Sequence, residues 1–144
     1  MKEGYIIFEV SGDLRKNLMA TAVVSSLKKA HPDRKIVVMT TTPEVWLHNP
    51  HVHRFYTFGR HAYFYDDYVK DKDTIILRHD PMSTDDFVHH RKHLVEIWCD
   101  LCGVPYDGSL PSLHFTWREK EAVSKLTASD KPLFFIQTNA PSVS

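Results

Sequence analysis

Short, nearly continuous apolar runs alternate along this chain with stretches of helical periodicity. The first run, Gly4-Tyr5-Ile6-Ile7-Phe8-Glu9-Val10, ends at Ser11-Gly12-Asp13. A run of this kind suits a strand covered on both faces. Leu18, Met19, Ala22, Val23, Leu27 and Ala30 then recur at spacings of three and four, with Ser25, Lys28 and Lys29 opposite. That is an amphipathic helix. It ends at His31-Pro32-Asp33, since proline cannot continue it. Lys35–Thr40 reads as a second buried strand. Thr42-Pro43-Glu44 reads as an N-cap with proline at the first helical position, opening a short helix that Asn49-Pro50 stops.

Arg54–Phe58 is a weaker third strand and Asp73–Arg78 a fourth. Thr84-Asp85-Asp86 caps a long helix carrying Phe87, Leu94, Val95, Trp98 and Leu101, with Gly103 at its C-terminal end. Thr116-Trp117-Arg118-Glu119 matches a capping box for a helix through about Leu126. Pro132–Gln137 is a last buried-type strand. Strands alternating with helices at this spacing predict an α/β fold, a parallel sheet flanked by helices. The last strand follows the Pro- and Gly-containing segment Val104–Leu113 and a helix, and only Thr138–Ser144 comes after it. The division expected is a domain over residues 1–130 and the first strand of a second domain over 131–144.

Composition narrows the function classes. The 144 residues suffice for one core without disulfide or metal. Lys plus Arg and Asp plus Glu balance at 18 each, which argues against non-specific nucleic-acid binding. No apolar run approaches the ~20 residues of a membrane span, and Tyr5–Val10 is too short for a signal-peptide core. The compartment expected is the cytoplasm. Cys99 and Cys102 form a C-x-x-C at the end of a helical pattern, with no second pair to complete a zinc site. They are expected to be reduced and packed.

In open α/β sheets ligands bind beyond the carboxyl ends of the strands. That rule selects Ser11, Gly12, Asp13 and Lys16 after the first strand and Thr41 after the second. Gly59 and Arg60 follow the third, and His79 and Asp80 the fourth. The first of these loops opens a helix, whose free N–H groups favour an anion, but it lacks G-x-G-x-x-G. Asp13 is either a helix cap or a chemical group. Lys16 is a cation where the helix dipole disfavours one. His89, His90 and His93 share a helical H-H-x-x-H, yet Arg91 and Lys92 beside them disfavour a metal. Tyr63, Phe64, Tyr65 and Tyr68 either stack on a sugar or pack back on the sheet.

Gly12–Pro32, G-D-L-R-K-N-L-M-A-T-A-V-V-S-S-L-K-K-A-H-P, resembles the opening of the ADP-heptose:lipopolysaccharide heptosyltransferase-like family, glycosyltransferase family nine. The segments D-R-K-I-V-V-M-T, P-E-V, N-P-H-V-H-R-F-Y and P-L-F-F-I-Q-T-N are similar to it too. The resemblance implies the N-terminal, acceptor-side, Rossmann-like domain of a two-domain GT-B glycosyltransferase. It implies inverting, metal-independent transfer from a nucleotide-sugar donor to a glycan or lipid-linked acceptor such as lipopolysaccharide, without a cofactor. The donor would be held by a C-terminal domain whose first strand is Leu133–Gln137. The family's loop aspartate would take the acceptor's proton. Aligned on Thr21, that aspartate falls at Lys16, and Asp13 lies three residues early. Asp13 and Lys16 are therefore the catalytic candidates, with Ser11, Gly12, Thr41, Arg60, His79 and Asp80 as substrate-binding ones. The altered loop equally fits a non-catalytic glycan- or nucleotide-binding module of the same fold.

Overall fold

The computed structural model describes residues 2–136. The chain divides between His114 and Phe115 into two compact units, ahead of the 130/131 boundary expected. The first unit holds four parallel strands, β1 (Gly4–Val10), β2 (Lys35–Thr40), β3 (Val52–Thr57) and β4 (Asp73–Leu77), in the order β3-β2-β1-β4. The register is continuous along β1–β2 and β1–β4, with an irregularity between Ile36 and Val37 where β2 meets β3. Its helices are α1 (Leu14–Ala30), α2 (Phe64–Tyr68), α3 (Asp85–Val88) and α4 (Leu94–Leu101). This is a Rossmann-like α/β unit, as the alternating pattern predicts.

Side-chain alternation divides the core. On one face Ile6, Phe8, Val10, Ile36 and Val38 pack with Val23, Val24 and Leu27 of α1 and Val95 and Trp98 of α4. On the other, Tyr5, Ile7, Val37 and Met39 pack with Tyr68 of α2. Both faces are covered, which is why the strands read as continuous apolar runs rather than alternating ones. The outer face is aromatic. Tyr56 and Tyr68 share a hydroxyl hydrogen bond of 2.8 Å, and Phe64 meets both rings edge-on. Burial pushes the Tyr68 hydroxyl well above its ordinary pKa.

Two local expectations are corrected. Thr42 does not cap a helix with its side chain; Pro43–Trp46 forms a single 3-10 turn, and the Thr42 N–H donates to Thr40 Oγ1 at 2.9 Å. The long helix expected over 84–101 is two helices. Thr84 does cap α3, its hydroxyl accepting from Phe87 N–H at 3.3 Å. His90 then takes a left-handed φ of 52°, which no helix interior tolerates. His93 restarts the chain as the N-cap of α4, in a reciprocal capping box with Glu96. His89, His90 and His93 therefore do not share a helical face. Among the described residues no group of three or more His, Cys, Asp and Glu side chains is arranged to hold a metal.

Cys99 is buried and Cys102 half-buried, both as free thiols. Burial raises both pKa values, that of Cys102 to about 12, so neither is an activated nucleophile. In the second unit, α5 (Trp117–Thr127) begins with the expected capping box, Thr116 with Glu119. Leu133–Ile136 is exposed and carries no strand pairing among the described residues; Gln137 lies outside them. No described helix is long and apolar enough to cross a membrane.

The segment after α4 is tied to α1 by one carboxylate. Asp107 accepts from the Ser25 and Ser26 hydroxyls at 3.0 Å each, and from Ser109 N–H and Oγ at 2.9 and 2.8 Å. Ser112 N–H donates to Thr21 Oγ1 at 3.0 Å. Burial raises the Asp107 pKa, but the Ser109 backbone and the three serine hydroxyls together outweigh it and hold it at about 2. An unfolded aspartate titrates near ~3.9, so a depressed native pKa stabilises the fold above that value and the contribution fades as pH falls towards ~2. Wild type is expected to exceed Asp107→Asn in urea stability by about 2 kcal/mol at neutral pH. That gap should narrow between about pH 4 and pH 2; a pH-independent gap would show that the charge plays no part.

Candidate functional site at the carboxyl rim

Because all four strands run parallel, the residues following them lie along one rim of the sheet. Ser11 and Gly12 follow β1, Thr41 follows β2, Arg60 lies three residues past β3, and His79 and Asp80 follow β4. The order β3-β2-β1-β4 makes the gap between β1 and β4 the topological switch point. From β1 the chain builds towards β3 on one side and returns to β4 on the other. Loops leaving neighbouring strands diverge there and open a crevice.

Lys16 and Asp80 meet at that switch point. Lys16, on the first turn of α1, places Nζ 2.9 Å from Asp80 Oδ1. The Lys16 side chain is 9% exposed and that of Asp80 53%. The ammonium also lies 5.8 Å from the ring centroid of Trp98, which is fully buried. An indole face attracts a cation most strongly where water is excluded. Lys16 therefore sits at a helix start against the dipole because a carboxylate and an aromatic face both hold it. The same ammonium holds the Asp80 carboxyl below its ordinary pKa, against burial.

Asp13 is committed elsewhere. Its Oδ1 accepts the Lys16 backbone N–H at 3.0 Å, capping α1, and its Oδ2 accepts Arg15 Nε and Nη2 at 2.8 and 2.6 Å. Those two partners, the Lys16 N–H first, lower its pKa. Gly12 has φ 108°, and a Cβ there would lie 2.9 Å from Lys16 Cδ. Glycine is needed for the backbone angle and for the approach of the lysine stem.

Beneath the loop lies a buried network that the sequence reading missed. Asn17, fully buried, donates through Nδ2 to Asp13 O, Thr41 Oγ1 and Gly12 O at 3.0, 3.3 and 3.4 Å. Its Oδ1 accepts from Thr40 Oγ1 and from Trp46 Nε1 at 2.5 and 3.3 Å. Thr41 Oγ1 donates to Gly12 O at 2.6 Å. One amide thus fastens the loops after β1 and β2 together. A signal was present: Asn17, Ala20, Val24 and Leu27 follow helical spacing along the buried face, so a polar side chain was being placed in the core.

The structure brings Gly12, Asp13, Lys16, Thr41 and Asp80 into one connected group. Ser11 is exposed at its edge. Arg60 and His79 make no side-chain hydrogen bond or ion pair among the described residues, and two strands separate the strand before Arg60 from the one before His79. Of the aromatic cluster, Phe64 and Tyr68 pack inward, whereas Tyr63 and Tyr65 are exposed. A concavity of about 360 Å³ beside β3 is lined by Trp46, His48, Asn49 and residues 52–56. It contains none of the rim group. The rim is the better candidate because fixed charge and the topological switch point coincide there, whereas the concavity only flanks an edge strand.

No family model matches this chain, and neither does any curated protein or solved structure.

Proposed function

We propose that the chain is the acceptor-side half of an inverting, metal-independent glycosyltransferase of GT-B architecture. It would take a glycan or lipid-linked acceptor such as lipopolysaccharide and receive sugar from a nucleotide-sugar donor. The observation that carries the reading is where Gly12–Pro32 falls. The segment that resembles family nine forms α1 and the loop entering it, and supplies one wall of the switch-point crevice with Lys16 facing Asp80. In this reading Asp13 shapes the loop, since both its oxygens are engaged, and the donor is held by a second Rossmann-like half. A cytoplasmic site of action goes with a nucleotide-sugar donor. One observation favours a second reading, a non-catalytic glycan-binding module: the loop carboxylate nearest the family's catalytic position is locked by Arg15.

Calorimetric titration separates these. The 144-residue chain is expected to bind lipopolysaccharide core oligosaccharides, to bind ADP-, UDP- and GDP-sugars far more weakly, and not to transfer sugar alone. Transfer requires both reactants held together, where proximity contributes roughly 7–11 kcal/mol. Micromolar nucleotide-sugar binding with turnover would mean that a complete site lies within these residues. Glycan binding that persists, without transfer, in a complex with a donor-binding half would favour the module. Absence of any glycan binding would remove both readings.

A further inference from the structure

The ion pair at the switch point uses only half of its carboxylate. Asp80 Oδ1 accepts from Lys16 Nζ at 2.9 Å and from the Met82 N–H at 3.3 Å. Oδ2 has no hydrogen-bond partner among the described residues, and the side chain is half exposed. One oxygen is anchored and the other is left without a partner on a half-exposed side chain. The anchor is firm, because the Lys16 ammonium is buried under Trp98 and has little freedom to follow another anion.

The charges around the crevice point to the ligand class. Arg15 is paired with Asp13, Lys16 with Asp80 and Arg78 with Glu9. Of the rim's Lys and Arg side chains, Arg60 alone lacks a carboxylate partner among the described residues, and it lies beyond the far edge strand. The positive end of α1 is already met by the Asp13 carboxylate. A phosphate or diphosphate entering here would find its cations engaged and a free carboxylate oxygen facing it. A hydroxyl would find an unoccupied charged acceptor, the stronger kind of hydrogen bond.

We infer that the β1–β4 crevice receives an uncharged sugar hydroxyl on Asp80 Oδ2, and that Lys16 is the residue that positions that carboxylate. This rests on the glycosyltransferase reading and specifies it: the group bound at the switch point is a neutral polyol face of the acceptor, not a phosphate. Asp80 takes the contact that the loop aspartate cannot make. The pair also acts as a filter, because removing the carboxylate would free a buried ammonium for anions.

Amide chemical-shift titration of the 144-residue chain tests this, with neutral methyl glycosides of hexoses and heptoses as one probe set and inorganic phosphate as the other. In wild type the glycosides are expected to shift the Gly12, Lys16, Asp80 and Met82 amides, and phosphate to leave them unmoved. Asp80→Asn should weaken glycoside binding roughly tenfold and gain a phosphate response at the same amides. Adding Lys16→Met should abolish that gain, which a merely structural lysine would not do. Phosphate binding at these amides in wild type overturns the inference while leaving the glycosyltransferase reading intact, and so does glycoside binding confined to other residues. No response anywhere to glycosides or to core oligosaccharides overturns both. Were Asp80→Asn to lose its dispersed spectrum, the wild-type contrast between glycoside and phosphate would decide alone.

Discussion

Replacing Trp98 by alanine is expected to lower the stability of the first unit by about 3–5 kcal/mol and to displace Lys16 from the rim. Trp98 is fully buried on α4, with its ring centroid 5.5 Å from that of Phe8 in β1. It therefore joins helix to sheet directly below the switch point. Its loss leaves a cavity that neighbouring side chains fill only in part, and it also takes away the aromatic face over which the ammonium sits. Trp98→Phe separates the two effects. The indole Nε1 is buried without a hydrogen-bond partner among the described residues. A phenyl ring therefore forfeits no hydrogen bond and removes an unsatisfied donor. That variant is expected to lose less than about 1.5 kcal/mol, near the cost of a conservative core swap. It should keep the Lys16–Asp80 contact. Urea unfolding gives the stabilities, and the Lys16 and Asp80 amide shifts report the pair. Equal losses in the two variants would show that volume is not what Trp98 contributes.

The sheet was legible because burial on both faces writes itself into the sequence as continuous apolar runs, and because Val10, Thr40, Thr57 and Leu77 each end a strand near a polar or glycine-containing loop. The rim followed from the same pattern, since parallel strands must present their following loops on one side. Three features were less accessible. The break at His90 was hidden because Leu94, Val95, Trp98 and Leu101 continue a helical spacing that Phe87 begins; only the left-handed backbone at His90 and the capping by His93 interrupt it. The partnership of Lys16 with Asp80 spans 64 positions, and no local pattern encodes it. Asp13 could be read either as cap or as base from sequence; the structure shows that it caps α1 through the Lys16 N–H and pairs with Arg15. The lesson is physical. Periodicity reports which side chains leave water, while the pairing of charges depends on which loops the topology makes neighbours.

Asn17→Ala is expected to destabilise the first unit by about 2–4 kcal/mol and to loosen the rim more than the core. The amide joins the two loops that matter most. Through Nδ2 it satisfies backbone oxygens of Gly12 and Asp13 and reaches Thr41, and through Oδ1 it accepts from Thr40 and Trp46. Alanine would leave the Asp13 carbonyl short of its side-chain donor. It would also take one of two acceptors from the indole N–H of Trp46, whose other contact is to Thr40 Oγ1 at 3.2 Å. Asp13 O keeps the Asn17 backbone N–H at 3.1 Å and the buried indole keeps Thr40, so the cost comes from several hydrogen bonds lost together around one buried amide. Asn17→Asp is the sharper variant, nearly equal in size but unable to donate and carrying a charge beside two carbonyls. It is expected to be at least as damaging as alanine at neutral pH. Thr40→Val removes one partner of the amide and takes an acceptor from the Thr42 N–H and from the Trp46 indole, so it should cost about 2 kcal/mol. Urea denaturation of the three variants gives the ranking, and hydrogen exchange at Gly12, Asp13 and Thr41 gives the location. Should Asn17→Ala match wild type in stability with unchanged protection at those amides, the loops after β1 and β2 would have to be held by the contacts of Thr41 to Gly12 and Val10, and the rim would not depend on its buried amide.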